Sequence, residues 1–291
     1  DEVITSPTSF VATIGAIIHV GAKPVFVDIA EDLNMDVSKI ESKITKKTKA
    51  IMPVHWAGKM CSMDKIAKIA KKYRLKVIED AAQGMGSYYK KKHAGTYSDI
   101  AAFSTHPLKN LNGLGDGGFI TTNSKQLYEK IKLYRNHGMK SRDNVHVFGV
   151  NSRLDVLNAE VLNFRLKKLK SVILKRRRNI SIYQKLINQK NIKIPYDTRD
   201  QFSSCVIFLC LCERRDELQK YLNSKGIQSL VYYGTPLHKH YASKIKGLHK
   251  NKLPISENLA KKVLALPHHQ NLTSKQIKIV CQEINKFYKN S

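Results

Sequence analysis

Short apolar runs, many of them rich in β-branched residues, alternate with helical patterns through the first half of the chain. The runs that predict strands lie at 3–5, 24–28, 50–54, 75–78, 100–103 and 119–122. The clearest helix is 63–73, where apolar residues recur with the 3.6-residue period and lysines occupy the opposite face. Segments 10–20 and 37–44 predict two further helices. Continuous apolar strands separated by helices predict an α/β fold with a mostly parallel sheet covered on both faces.

The pattern changes near residue 151. Residues 154–186 form a long helical stretch rich in Leu and Lys, without Gly or Pro. A smaller α+β unit follows, with a strand at 205–211, a helix at 216–224, a strand at 227–232 and two helices after residue 253. We therefore predict three parts: a large domain at 1–152, a connecting helix at 153–190 and a small domain at 191–291.

Composition places the chain among ordinary globular proteins, because 42% of its 291 residues are hydrophobic and 25% are charged. No apolar stretch is long enough to cross a membrane and no signal peptide is visible, so we expect a cytoplasmic protein. The net charge is +28, from 51 basic and 23 acidic residues. The basic residues are spread along the chain, and the run at 175–178 is short. This favours a solvated surface over attraction of a phosphorylated ligand, and both over nucleic-acid binding.

The cysteines and histidines give no sign of a metal site. The five cysteines include no CxxC pair and no zinc-like Cys/His spacing, so they are predicted to be free thiols in a reducing compartment. The pairs His238/His240 and His268/His269 lack a carboxylate or Cys partner at ligand spacing. We expect no metal.

Two segments carry candidate chemistry. Asp80 follows an apolar strand directly, and ligands of open α/β sheets bind beyond the carboxyl ends of the strands; the alternative is a helix cap or plain loop carboxylate. Lys109 lies between a strand and the glycine-rich segment 113–118. A desolvated lysine loses its proton more readily and can form a Schiff base, although a surface lysine is the default. The glycines lead into a strand and do not open a helix, which argues against a dinucleotide loop.

Together these segments, EDAAQ and then FSTHPLKNLNGLGDGG, resemble the DegT/DnrJ/EryC1/StrS family of pyridoxal-phosphate-dependent sugar aminotransferases. Similar blocks continue in family order along nearly the whole chain: DEVITSPTSFVAT, AKPVFVDI, TKAIMPVHWAG, YRNHG, GVNSRLD, PLH and LPHHQNLT. The finer likeness is to enzymes that aminate the 3-keto position of dTDP-linked deoxysugars. The resemblance implies a type I, aspartate aminotransferase-like large domain with a smaller C-terminal α+β domain. It also implies pyridoxal 5'-phosphate, a nucleotide-sugar substrate, L-glutamate as donor and a homodimer.

The resemblance also assigns roles to residues. Lys109 is expected to hold the cofactor as a Schiff base and to move the proton between cofactor and sugar carbons. Asp80 is expected to pair with the pyridine nitrogen. The remaining cofactor contacts are Gln83 near the phenolic oxygen, Ser104 at the phosphate, Phe10 stacked on the ring and Asn151 at the phosphate of the neighbouring subunit's cofactor. The candidates for sugar contacts, each with plain packing as the alternative, are His55, Trp56, His106, Tyr233 and His238.

The chain departs from the family pattern at three places. Members carry several tens of residues before this start, including a Gly-Ser/Thr-x-Ala turn that cradles the phosphate. Thr105 stands where an aromatic residue is commoner, and segment 201–205 lacks a His-rich lead. We expect an N-terminally truncated chain that binds the cofactor weakly, dimerises poorly and has little activity. The alternatives are a family dehydratase, which carries His in place of Lys109, and a catalytically silent relative.

Overall fold

The computed structural model of the chain describes residues 1–195 and 197–289. Positions 196, 290 and 291 of the predicted small domain lie outside the described residues. The strands are β1 (Glu2–Thr5), β2 (Lys23–Phe26), β3 (Thr48–Met52), β4 (Lys76–Asp80), β5 (Tyr88–Tyr89), β6 (Lys92–His93), β7 (Ile100–Ser104), β8 (Gly118–Thr121), β9 (Met139–Ser141), β10 (Asn144–Val145), β11 (Ile192–Lys193), β12 (Gln201–Phe202), β13 (Leu209–Cys212) and β14 (Val263–Ala265). The α-helices are α1 (Val11–His19), α2 (Met63–Tyr73), α3 (Lys125–Tyr134), α4 (Val156–Leu166), α5 (Leu169–Leu186), α6 (Arg215–Ser224), α7 (Tyr241–Ile245), α8 (Pro254–Lys262) and α9 (Ser274–Lys289).

A six-stranded sheet in the order β2-β1-β3-β4-β7-β8 lies within the first 121 residues of the chain. Every pairing up to β7 is parallel, and only the edge strand β8 runs antiparallel. Helix α2 has the bounds predicted from its period, and it buries Met63, Ile66 and Ala70 in the same apolar cluster as sheet residues Ile51 and Val77. The predicted, mostly parallel α/β sheet is confirmed.

The second core lies in the C-terminal part of the chain. Strands β11, β13 and β14 form an antiparallel sheet. Helices α5, α6 and α9 cover it with buried side chains that include Tyr183, Leu218 and Ile277. All five cysteines are unpaired and buried. No helix among the described residues is long and apolar enough to cross a membrane.

Four predicted elements differ in the structure, and two of them lie outside the cleft region. Segment 37–44 is not one helix but two short 3-10 turns, the first capped by Asp36, whose carboxylate accepts from the Ser38 amide at 3.0 Å. Segment 154–186 is interrupted at residues 167–168, so that α4 and α5 are separate helices although no Gly or Pro marks the break. Tertiary packing sets this break, because Leu162 and Leu169 on either side of it enter one apolar cluster.

The other two differences lie beside the cleft described below. Predicted strand 205–211 becomes regular only at Leu209, and its first residue, Cys205, has a left-handed backbone conformation (φ 51°) that lies outside the β region. Within the part of the chain that the structure describes, predicted strand 227–232 keeps a single bridge, between Leu230 and Ala265. Residues on both segments line the cleft and do not continue a sheet.

Candidate active site

A cleft of about 1200 Å³ opens beyond the carboxyl ends of β4 and β7, with walls from both parts of the chain. Its position is the one expected for ligands of an open α/β sheet. It brings together most of the side chains that the sequence singled out: Phe10, Asp80, Gln83, Ser104, His106, Lys109 and Tyr233.

Asp80 is the last residue of β4 and is held on several sides. Its amide donates to Pro53 O at 2.9 Å, which fixes the strand end. Oδ2 accepts a hydrogen bond from Thr13 Oγ1 at 2.7 Å, and Oδ1 accepts from the Ala82 amide at 3.2 Å. The carboxylate therefore has both oxygens anchored while its side chain lines the cleft.

Lys109 lies in the loop between β7 and β8 and is half-buried. Burial lowers its pKa, and the charge of Asp80 offsets part of this effect without restoring the ordinary value. Within residues 1–195 and 197–289 its ammonium makes no hydrogen bond or ion pair. The residue after Lys109 anchors this loop, because Asn110 Nδ2 donates a hydrogen bond to Ser204 O at 2.7 Å. An amine with a lowered pKa holds its proton less tightly, which suits nucleophilic chemistry.

Steric crowding explains why a glycine stands at position 118, at the end of the glycine-rich segment that follows Lys109. Gly118 pairs with Ser104 as β8 turns back beside β7. A Cβ at Gly118 would lie 2.4 Å from Phe103 O, so a side chain there would displace the strand pair. The Ser104 hydroxyl accepts from the His106 amide at 3.3 Å and remains at the cleft wall.

The rest of the wall is aromatic and amide. The Phe10 ring is 57% exposed, and its centre lies 6.2 Å from that of Tyr233. Gln83 Oε1 accepts from the Ala57 amide at 2.6 Å. Burial raises the pKa of Tyr233 to about 12, and the negative charge of Asp80 adds to this effect. Tyr233 is therefore a neutral hydrogen-bonding group near neutral pH.

Four predicted site residues lie elsewhere. His55 is fully buried, with Nε2 2.8 Å from Glu79 Oε2. Trp56 lines a separate cavity of about 310 Å³. His238 is fully buried, with Nε2 3.0 Å from Glu257 Oε1. Asn151 is exposed, and its Oδ1 accepts from Arg153 Nε at 3.0 Å. The single chain does not bring these side chains to the cleft.

Sequence reasoning missed Ser9 and Thr13, which line the cleft and are buried. They lie at the start of a helix in which small residues are common, so the residues alone carried no signal. Their importance is visible only once the fold places α1 against the end of β4.

We predict that Glu79→Gln destabilises the fold by about 3 kcal/mol, because it leaves one member of a buried pair without its partner. Glu79 accepts from the Gly95 amide at 2.7 Å in addition to its contact with His55. Burial alone raises the Glu79 pKa, but these hydrogen bonds and the His55 charge outweigh it, so the pKa is lowered. Urea unfolding at pH 7 measures the loss, and Glu129→Gln on the exposed face of α3 is the control.

The lowered pKa of Glu79 also determines how its contribution to the free energy of unfolding depends on pH. The Glu79 contribution should be fully present above its unfolded pKa of about 4.3 and should be lost as pH falls through the lower folded value. The difference between the unfolding free energies of wild type and Glu79→Gln should therefore shrink in acid, as the pH falls from about 4.3 through the lower folded pKa of Glu79. A difference that grew in acid would contradict the pairing.

A lysine amine and an anchored carboxylate share one cleft at the carboxyl edge of a mostly parallel sheet, which is the place where α/β enzymes bind their ligands. The chain belongs to the DegT/DnrJ/EryC1/StrS aminotransferase family, whose model matches residues 1–285. The family resemblance found in the sequence is confirmed.

Individual relatives match along the whole chain. It is 40% identical over 294 residues to the pleiotropic regulatory protein of Geobacillus stearothermophilus, covering 100% of this chain and 79% of that protein. It is 39% identical over 288 residues to dTDP-3-amino-3,6-dideoxy-alpha-D-galactopyranose transaminase of Aneurinibacillus thermoaerophilus, covering 99% of this chain and 79% of that protein. The crystal structure of S. venezuelae DesV in complex with a ketimine intermediate superposes with a TM-score of 0.95 at 34% identity, covering 99% of this chain and 78% of that one.

Proposed function

We propose that this aminotransferase moves an amino group from L-glutamate to a keto group of a nucleotide-activated sugar, with pyridoxal 5'-phosphate as cofactor. A dTDP-linked 3-keto-deoxysugar is the first candidate acceptor. The observation that carries the proposal is Lys109, half-buried at the cleft with a pKa that burial lowers and Asp80 partly restores. This arrangement favours an amine that reacts with carbonyl groups.

The residues at the cleft fit the cofactor. Asp80 would pair with its ring nitrogen, the exposed face of Phe10 would cover its ring, and Gln83 and Ser104 would bind its phenolic and phosphate oxygens. When bound, the cofactor supplies a ring that takes up the negative charge left on a substrate carbon when a proton is removed. Lys109 would move that proton, since its amine lines the same cleft as Asp80 and is influenced by the charge of that carboxylate.

The cleft volume of about 1200 Å³ leaves room for a nucleotide sugar beside the cofactor. His106 and Tyr233, which line it, are our candidates for sugar contacts. His55, Trp56 and His238 would reach a sugar only after a rearrangement, because their side chains are buried away from this cleft.

We also propose a homodimer, with Asn151 reaching the phosphate of the neighbouring subunit's cofactor. In support, exposed apolar side chains lie on both sides of Asn151 along the chain: Phe148 is 98% exposed, Val156 82% and Leu157 80%. Large exposed apolar side chains in one region are typical of a contact surface.

The test uses the reverse reaction with dTDP-3-amino-3,6-dideoxy-α-D-galactose and 2-oxoglutarate in the presence of pyridoxal phosphate. We expect L-glutamate and a keto-sugar of the corresponding mass. A sugar product that has lost water would instead support the dehydratase alternative. Absence of a protein-bound visible chromophore at millimolar cofactor would support the catalytically silent one.

A further inference from the structure

The Asp80 carboxylate is the end point of a chain of two hydroxyl groups. Thr13 Oγ1 lies 2.7 Å from Asp80 Oδ2, and Ser9 Oγ lies 2.6 Å from Thr13 Oγ1. Ser9 and Thr13 are four residues apart at the start of α1, and both are buried. We call these two side chains the hydroxyl relay.

The acceptor at the end fixes the direction of the relay. An ionised carboxylate only accepts hydrogen bonds, so Thr13 must donate its one hydroxyl proton to Asp80. Thr13 Oγ1 is then the acceptor in its contact with Ser9, whose hydroxyl donates. Both O–H dipoles therefore point toward Asp80, and successive hydrogen bonds in such a chain strengthen one another.

We propose that Ser9 and Thr13 are positioning residues that hold the Asp80 carboxylate in the rotamer that meets the cofactor's ring nitrogen. This inference rests on the proposed function, because it requires that nitrogen at Asp80. The Ala82 amide anchors Oδ1 and the relay anchors Oδ2. A carboxylate offers about four lone-pair positions, so acceptor capacity remains for the ring N–H.

Thr13→Val tests the relay, since it removes the hydroxyl with little change of shape. The affinity of the full chain is measured by calorimetry for two probes: pyridoxal phosphate, and its 1-deaza analogue, which has a CH group in place of the ring nitrogen. We expect Thr13→Val to lower the affinity for pyridoxal phosphate about tenfold, the effect expected if the released Asp80 carboxylate occupies the binding rotamer in about a tenth of the molecules. The affinity for the deaza analogue should change less than about twofold. Thr13→Ser, which keeps the hydroxyl, should retain most of the affinity for pyridoxal phosphate.

Thr5→Val is the matched control, because Thr5 is also fully buried and its hydroxyl donates to Met52 O at 2.9 Å, but among the described residues Thr5 itself does not line the cleft and makes no hydrogen bond to Asp80. It should leave both affinities unchanged. If Thr13→Val lowered the affinity for both probes equally, the role of Thr13 would be packing only, and the proposed relay would be wrong. The proposal would also be wrong if neither affinity changed. If the wild-type chain binds neither probe, the proposed function fails and the relay falls with it.

Discussion

Replacing Lys109 with alanine is expected to lower turnover at least about 10³-fold, because one side chain both binds the cofactor covalently and moves the proton. Reduction of the cofactor-loaded wild-type chain with borohydride should fix the cofactor on the peptide that contains Lys109, and Lys109→Ala should remove this label. Lys130→Ala on the exposed face of α3 is the control. A cofactor that is still fixed to the Lys109→Ala chain would contradict the assignment.

Lys109 should also lower the free energy of unfolding of the chain while no cofactor is bound. Burial lowers the Lys109 pKa, so the unfolded chain holds this proton more tightly than the folded chain does. The penalty is fully present below the folded pKa of Lys109, shrinks as the pH rises through that value, and vanishes above the unfolded pKa of about 10.4, where the amine is neutral in both states. Lys109→Met should therefore raise the thermal midpoint at pH 7, and its advantage should shrink toward pH 10.5. A lower midpoint for Lys109→Met would indicate a structural lysine.

The parts of the fold that could be predicted from sequence are those in which local pattern and tertiary packing agree. Helix α2 keeps the predicted bounds because its 3.6-residue period and its burial against the sheet select the same residues. The break between α4 and α5 has no local signal, because helix formers continue through it and packing alone decides it. Cys205 shows the same limit, since its left-handed backbone is set by surroundings that the sequence does not reveal.

The candidate site divides in a similar way. The position of Asp80 and Lys109 at the cleft could be predicted because Asp80 ends one strand and Lys109 follows another, and parallel strands bring their carboxyl ends to one edge. His55 also follows a strand end, yet it turns inward to Glu79 and becomes part of the core. Strand position alone could not separate these outcomes, because side chains alternate between the faces of a sheet and the loop after the strand decides the final direction. Ser9 and Thr13 needed the packing of α1 on β4 before any role could be assigned.

Asp80→Asn is expected to retain the fold and to lower turnover about 10²–10³-fold, the effect of removing a group that stabilises charge in the transition state. The substitution keeps the shape of the side chain but removes the negative charge that would face the ring nitrogen. Affinity for pyridoxal phosphate should also fall, since a charge-assisted contact is replaced by a neutral one. Asp200→Asn, on an exposed turn far along the chain, is the control.

Asp80→Asn should also act on Lys109. The charge of Asp80 raises the Lys109 pKa against the effect of burial, so its removal should lower that pKa further. In the cofactor-free chain, the pH dependence of Lys109 labelling by an amine-reactive probe should therefore shift to lower pH in Asp80→Asn. An unchanged labelling profile would show that the two groups do not interact across the cleft. Near wild-type turnover would remove Asp80 from the mechanism, whatever the labelling profile.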